Sequence, residues 1–116
     1  MQQHNHIGDG PGSADAVVHD HVVYLPVITA ATMTPSVADQ TRQVLEAIDE
    51  RLGACGTGKH RMLSVTVFVA DARFLEELHT VWDSWVPWHD PPVCTELVAK
   101  LAPEGSKVGI QVVAAE

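Results

Sequence analysis

Met62-Leu63-Ser64-Val65-Thr66-Val67-Phe68-Val69-Ala70 carries the strongest strand pattern in the chain. Leu63, Val65, Val67 and Val69 alternate with Ser64, Thr66 and Phe68, the period-two signature of a strand with one face on a core. A helical pattern stands on each side of it. Upstream, Val37, Thr41, Val44, Leu45, Ile48 and Leu52 mark one apolar face of a helix over 37–52. Ser36 is its expected cap, Asp39 favours its first turn, and Gly53 and Gly56 are expected to stop it. Downstream, Asp71-Ala72 turns the chain into a second helix over 73–86, with Leu75, Leu78, Trp82 and Trp85 as its buried stripe and Pro87 at its end.

Short β-rich segments flank this centre. Ala16 to Val18 and Val22 to Ile28 read as two strands joined by a turn at His19-Asp20-His21. Strands near 93–101 and 107–114 follow the second helix, and Pro103-Glu104-Gly105-Ser106 reads as a hairpin turn between them. The order ββ-α-β-α-ββ predicts a two-layer α+β domain, a mixed β-sheet covered on one face by two helices. Residues 1–15 are polar and Gly-rich and are expected to form a flexible N-terminal arm; 16–116 form a single domain.

Composition narrows the function. The 116 residues are 46% hydrophobic and 19% charged, and the net charge is −8. Seven scattered basic residues do not make the clustered patch that phosphate backbones require, so nucleic acid is not an expected partner. No apolar run approaches the ~20 residues of a membrane helix. The N-terminus lacks the basic and apolar regions of a signal peptide, and two cysteines make no disulfide framework. These features predict a cytoplasmic protein with reduced thiols and no membrane contact. No cofactor motif is present. Gly8-Asp9-Gly10-Pro11-Gly12 follows no strand and precedes no Lys-Ser/Thr pair. The pairs His4/His6 and His19/His21 specify no third ligand, so no metal is expected.

The stretch Pro91-Pro92-Val93-Cys94-Thr95-Glu96-Leu97-Val98 is where chemistry is expected. The double proline stiffens the entry, and Cys94 and Glu96 are two apart, so on a strand they share a face. Cys94 is read either as a nucleophile served by a nearby base, with His89 and Asp90 of the preceding loop as candidates, or as a small buried residue filling space. Glu96 is read either as a general acid or base, or as an edge or interface carboxylate paired with Lys100 or Arg73. Trp88 lies past the second helix and is placed at a pocket rim.

Pro91-Pro92-Val93-Cys94, followed by Lys107-Val108-Gly109-Ile110-Gln111, resembles the C-terminal signature of the RidA/YjgF family of enamine/imine deaminases. Asp39-Gln40-Thr41-Arg42-Gln43-Val44-Leu45 resembles the family's Q-T-x-Q-x-L helix, and Thr66-Val67-Phe68-Val69-Ala70-Asp71 its T-V-F-L-x-D strand end. The resemblance implies a chorismate-mutase-like (YjgF-like) fold and a homotrimer with a small-molecule pocket at each subunit interface. It also implies a pocket arginine that grips a carboxylate and a glutamate that positions water. Here Cys94 is read at the arginine position and Gly109, 15 residues on, at the glutamate position. Val27 falls in the turn that is S-G-Q in the family, Gly12 replaces an aromatic, and His79 replaces an asparagine.

A chain so altered loses the bidentate fork that only a guanidinium supplies. Three functions stay open. The first is an enzyme acting on a small metabolite through Cys94, Glu96 and His79, with Trp88, Val27 and Gly109 binding the ligand. The second is a non-catalytic ligand-binding or accessory protein. The third is imine hydrolysis retained through other groups.

Overall fold

The computed structural model describes residues 4–7, as backbone, and 14–116. The strands are β1 (His4–Ile7), β2 (Ala16–His19), β3 (Val22–Tyr24), β4 (Ile28–Thr29), β5 (Met62–Val69), β6 (Val93–Val98) and β7 (Val108–Ala115). Two helices complete the fold, α1 (Val37–Ala54) and α2 (Leu75–Trp85), the second entered through a 3-10 turn at Ala72–Phe74. One sheet holds all seven strands in the order β1-β2-β3-β7-β5-β6, with β4 also paired to β7. Among the described strands only β5 and β6 run parallel, so the sheet is mixed as expected.

The core lies between the helices and one sheet face. Val65, Val67 and Val69 of β5 meet Ile110, Val112 and Val108 of β7 there, all at most 1% exposed. Helix α1 covers them with Val44, Ile48 and Leu52, and α2 adds Leu78 and Val81. The Ser36 hydroxyl caps α1 by accepting from the Asp39 N–H, as predicted. Gly53 does not stop α1; the helix runs to Ala54, and Gly56, at φ 78°, takes the left-handed position after it. Asp20 and His21 both have positive φ, the two-residue turn that matches strand twist in a hairpin.

Four expectations need correction. The segment read as an arm contains β1, which pairs antiparallel with β2; residues 1–3 and 8–13, including Gly12, lie outside the described residues. Strands β6 and β7 are not a hairpin. The chain returns from α2 to lay β6 parallel on one edge of β5, and β7 pairs antiparallel on the other. A βαβ crossover needs a helix's length, and α2 supplies it. Leu63 is 49% exposed, because a bulge between Met62 and Ser64 shifts the alternation and buries Met62 instead. On α2, Leu78 and Val81 are the buried positions, while Leu75, Trp82 and Trp85 are half-buried at the flank.

Candidate functional site

The registers decide which side chains can meet. Residues paired across neighbouring strands point to the same sheet face. Cys94 pairs with Val65 and Glu96 with Val67, so both lie on the helix-covered side. Gly109 pairs with Phe68, which also pairs with Leu97, so Gly109 lies on the open side. The predicted site therefore divides into two, back to back across the sheet.

On the helix side, Cys94 and Glu96 form a groove against α2 with Val67, His79, Trp82 and Asp83. His79 Nε2 is hydrogen-bonded to Glu96 Oε2. An ionised Glu96 accepts only, so Nε2 carries the proton, and a neutral His79 has Nδ1 as its acceptor. Glu96 thus takes His79 as partner, not Lys100 or Arg73; Arg73 forks onto Asp71. That pairing holds the Asp71 carboxyl down at about 2. Trp88 is 69% exposed, and its indole N–H donates to the backbone oxygen of Asp83, a wall of this groove.

Solvent reaches Cys94, yet partial burial pushes its thiol up, and the negative charge of Glu96 pushes it further. A raised pKa leaves little thiolate at neutral pH, the opposite of an activated nucleophile. Cys94 is therefore expected to react with iodoacetamide at pH 8 several-fold more slowly than a free thiol. Glu96→Gln removes the repelling charge, lowers the thiol pKa and should raise that rate. An unchanged rate would show that burial alone governs the thiol.

On the open side, Val27, Thr29, Phe68, Ala99, Lys100, Leu101 and Ala102 line a concavity of about 280 Å3. Gly109 lies beneath it. A Cβ on Gly109 would stand 2.8 Å from Val27 Cγ1 and 3.5 Å from Leu101 Cδ2 and Thr29 Cγ2. The place a side chain would take is already filled by Val27. The β6 residue on this face nearest the double proline is Val93, 72% exposed. Two groups that serve one pocket must share a face, so Val93 rather than Cys94 corresponds to a pocket partner of Gly109. The missed signal was parity: spacing along the chain does not fix the face until the β5–β6 and β5–β7 registers are known.

Among the described residues, no group of three or more His, Cys, Asp or Glu is arranged to hold a metal ion. His21 faces Glu116 at 3.3 Å instead. No helix among them is long and apolar enough to cross a membrane.

Residues 13–116 match the family model described as Endoribonuclease L-PSP. A RutC family protein of Haemophilus influenzae is 30% identical over 102 residues, covering 87% of this chain and 88% of that protein. The RutC family protein YoaB of Escherichia coli is 31% identical over 103 residues, covering 88% and 89%. A crystal structure of a YjgF family member from Neisseria meningitidis superposes with a TM-score of 0.94 at 27% identity, over 98% of this chain and 95% of that one. With the expected fold realised and the match running from residue 13 to the last residue, the chain belongs to the RidA/YjgF family, the family described as Endoribonuclease L-PSP.

Proposed function

We propose that this chain is a remodelled, ligand-binding member of its family. It holds a small metabolite in the open-face pocket, completed by neighbouring copies in a homotrimer, and it does not carry out arginine-dependent 2-imino acid deamination. The observation that carries this reading is Gly109 with Val27 Cγ1 2.8 Å from its would-be Cβ. No acid stands where water would be positioned, and the space for one is closed.

Cys94, Glu96 and His79 lie behind the sheet from this pocket. Within one subunit they cannot touch its ligand, which weighs against their catalytic use and for the non-catalytic reading. Assembly is supported by apolar surface on the edge strand: Val93, Leu97 and Val98 are 48% exposed or more. An edge strand with such surface is one that proteins cover. Nucleic acid is disfavoured because the chain is strongly acidic and its few cations are dispersed.

The test is ammonia release from freshly generated 2-iminopropionate, with a no-protein control. The wild-type protein is expected to match the control. Cys94→Arg should match it too, because the new guanidinium would lie on the helix side. Wild-type release well above background would overturn the proposal.

A further inference from the structure

The chain has three methionines. Met1 lies outside the described residues, and Met62 is 5% exposed in the core. Met33, in the loop before α1, is half-buried at the edge of the core, so solvent reaches it. Its Sδ accepts the hydroxyl of Ser106 at 3.5 Å. Ser106 is 5% exposed, and among the described residues this is the only hydrogen bond its side chain makes. A thioether is a weak acceptor, so a buried hydroxyl depends on sulfur alone.

Met33 also lies close over the neighbouring glycine. A Cβ on Gly105 would stand 3.3 Å from the Met33 Cβ, 3.4 Å from its Cγ and 3.8 Å from its Sδ. Gly105 and Ser106 belong to the turn before β7. The Ser106 N–H donates to the Pro103 oxygen, and Gln40 holds the Gly105 oxygen and the Lys107 N–H.

We propose that Met33 is a peroxide-modified site, and that its sulfoxide loosens the turn at Gly105 and Ser106. A lone pair of Sδ attacks one oxygen of a hydroperoxide. The S–O bond forms as the O–O bond breaks, and the departing oxygen leaves with the proton as water or an alcohol. Sulfur is oxidised and the peroxide reduced; sulfoxide reductases return the thioether. Ser106 engages one sulfur lone pair, so the oxygen is added through the other and faces away from the hydroxyl. The sulfur that Ser106 still faces is then electron-poor and accepts weakly. Turning the side chain to present its oxygen is opposed by the packing over Gly105. The buried hydroxyl is left without a partner, and opening the turn to water restores one.

This inference is independent of the ligand role proposed above. It is tested by treating the full chain with hydrogen peroxide. Oxygen uptake at each methionine is followed by tandem mass spectrometry, and amide hydrogen exchange is read at Ser106 and Lys107. Met33 should gain one oxygen at least tenfold faster than Met62. The oxidised chain should exchange both amides at least fivefold faster than the untreated one, and a sulfoxide reductase should reverse both changes. Met33→Leu removes the acceptor, so its amides should exchange faster from the start and peroxide should not change them. Ser106→Ala should still be oxidised at Met33, yet its amides should respond less than twofold, because no hydroxyl is orphaned.

Equal oxidation of Met33 and Met62 would overturn the site. Oxidation of Met33 with unaltered exchange would overturn its coupling to the turn. A full response in Ser106→Ala would overturn the role of Ser106, and a peroxide response in Met33→Leu would overturn Met33 as its source.

Discussion

Gln40→Ala is expected to destabilise the protein by about 3 kcal/mol, lowering the melting temperature by on the order of 10 °C. Gln40 is fully buried on α1. Its amide donates to the Thr34 oxygen at 2.7 Å and the Gly105 oxygen at 3.1 Å, and its carbonyl accepts from the Lys107 N–H at 2.8 Å. One side chain therefore ties the segment before α1 to the turn before β7. Truncation leaves three backbone groups without this partner and opens a cavity. Each buried group so orphaned costs about 1–3 kcal/mol, and water entering at exposed Gly105 offsets part of the sum. Gln40→Glu provides the control. It keeps an acceptor for Lys107 but loses both donated bonds and buries a carboxylate against two carbonyl oxygens, so it should be destabilised at neutral pH. Protonation restores one donor, so its deficit relative to wild type should shrink as pH falls. Thermal unfolding followed by circular dichroism checks both, and a loss below about 1 kcal/mol for Gln40→Ala would show that water replaces the side chain.

Gln40 marks where sequence reading stopped. The α1 face written from apolar periodicity, Val37, Thr41, Val44, Leu45, Ile48 and Leu52, is buried as read, but Gln40 is buried with it. A glutamine reads as polar, and its burial depends on backbone groups 6, 65 and 67 residues away. The same limit explains the strands. Val65, Val67 and Val69 were legible because alternation is local. The pairing of β7 with β5 was not, because the Pro103–Ser106 turn suggested a hairpin that the α2 crossover makes unnecessary. The Met62/Ser64 bulge was equally hidden, and it moved Leu63 off the core face.

The candidate site was half legible for a related reason. Cys94 and Glu96 do share a face, because that follows from strand geometry alone. His79 does reach Glu96, although no local pattern fixed where α2 would pack. Val27 and Gly109 do meet each other. What the sequence joined wrongly was these two sets, since a spacing of 15 between Cys94 and Gly109 crosses from β6 to β7 and says nothing about faces.

Gly109→Glu is expected to destabilise the protein by about 1–3 kcal/mol, the usual cost of forcing extra atoms into filled space. Gly109 is buried at mid-sheet, paired with Phe68 on one side and Thr29 on the other. Its Cβ would stand 2.8 Å from Val27 Cγ1, closer than real carbon contacts allow. Thr29 Cγ2 and Leu101 Cδ2, each at 3.5 Å, leave the new side chain little freedom to lean away. Val27 must therefore move, and a β-branched residue has few rotamers to move into. Gly109→Ala should show the same sign, because the Cβ alone makes the contact. Val27→Ala should recover most of the loss in either background, so a double-mutant cycle should give a coupling above about 0.5 kcal/mol. If Gly109→Glu is as stable as wild type and Val27→Ala changes nothing in its background, the space above Gly109 is not closed, and the case against a positioned acid in this pocket falls with it.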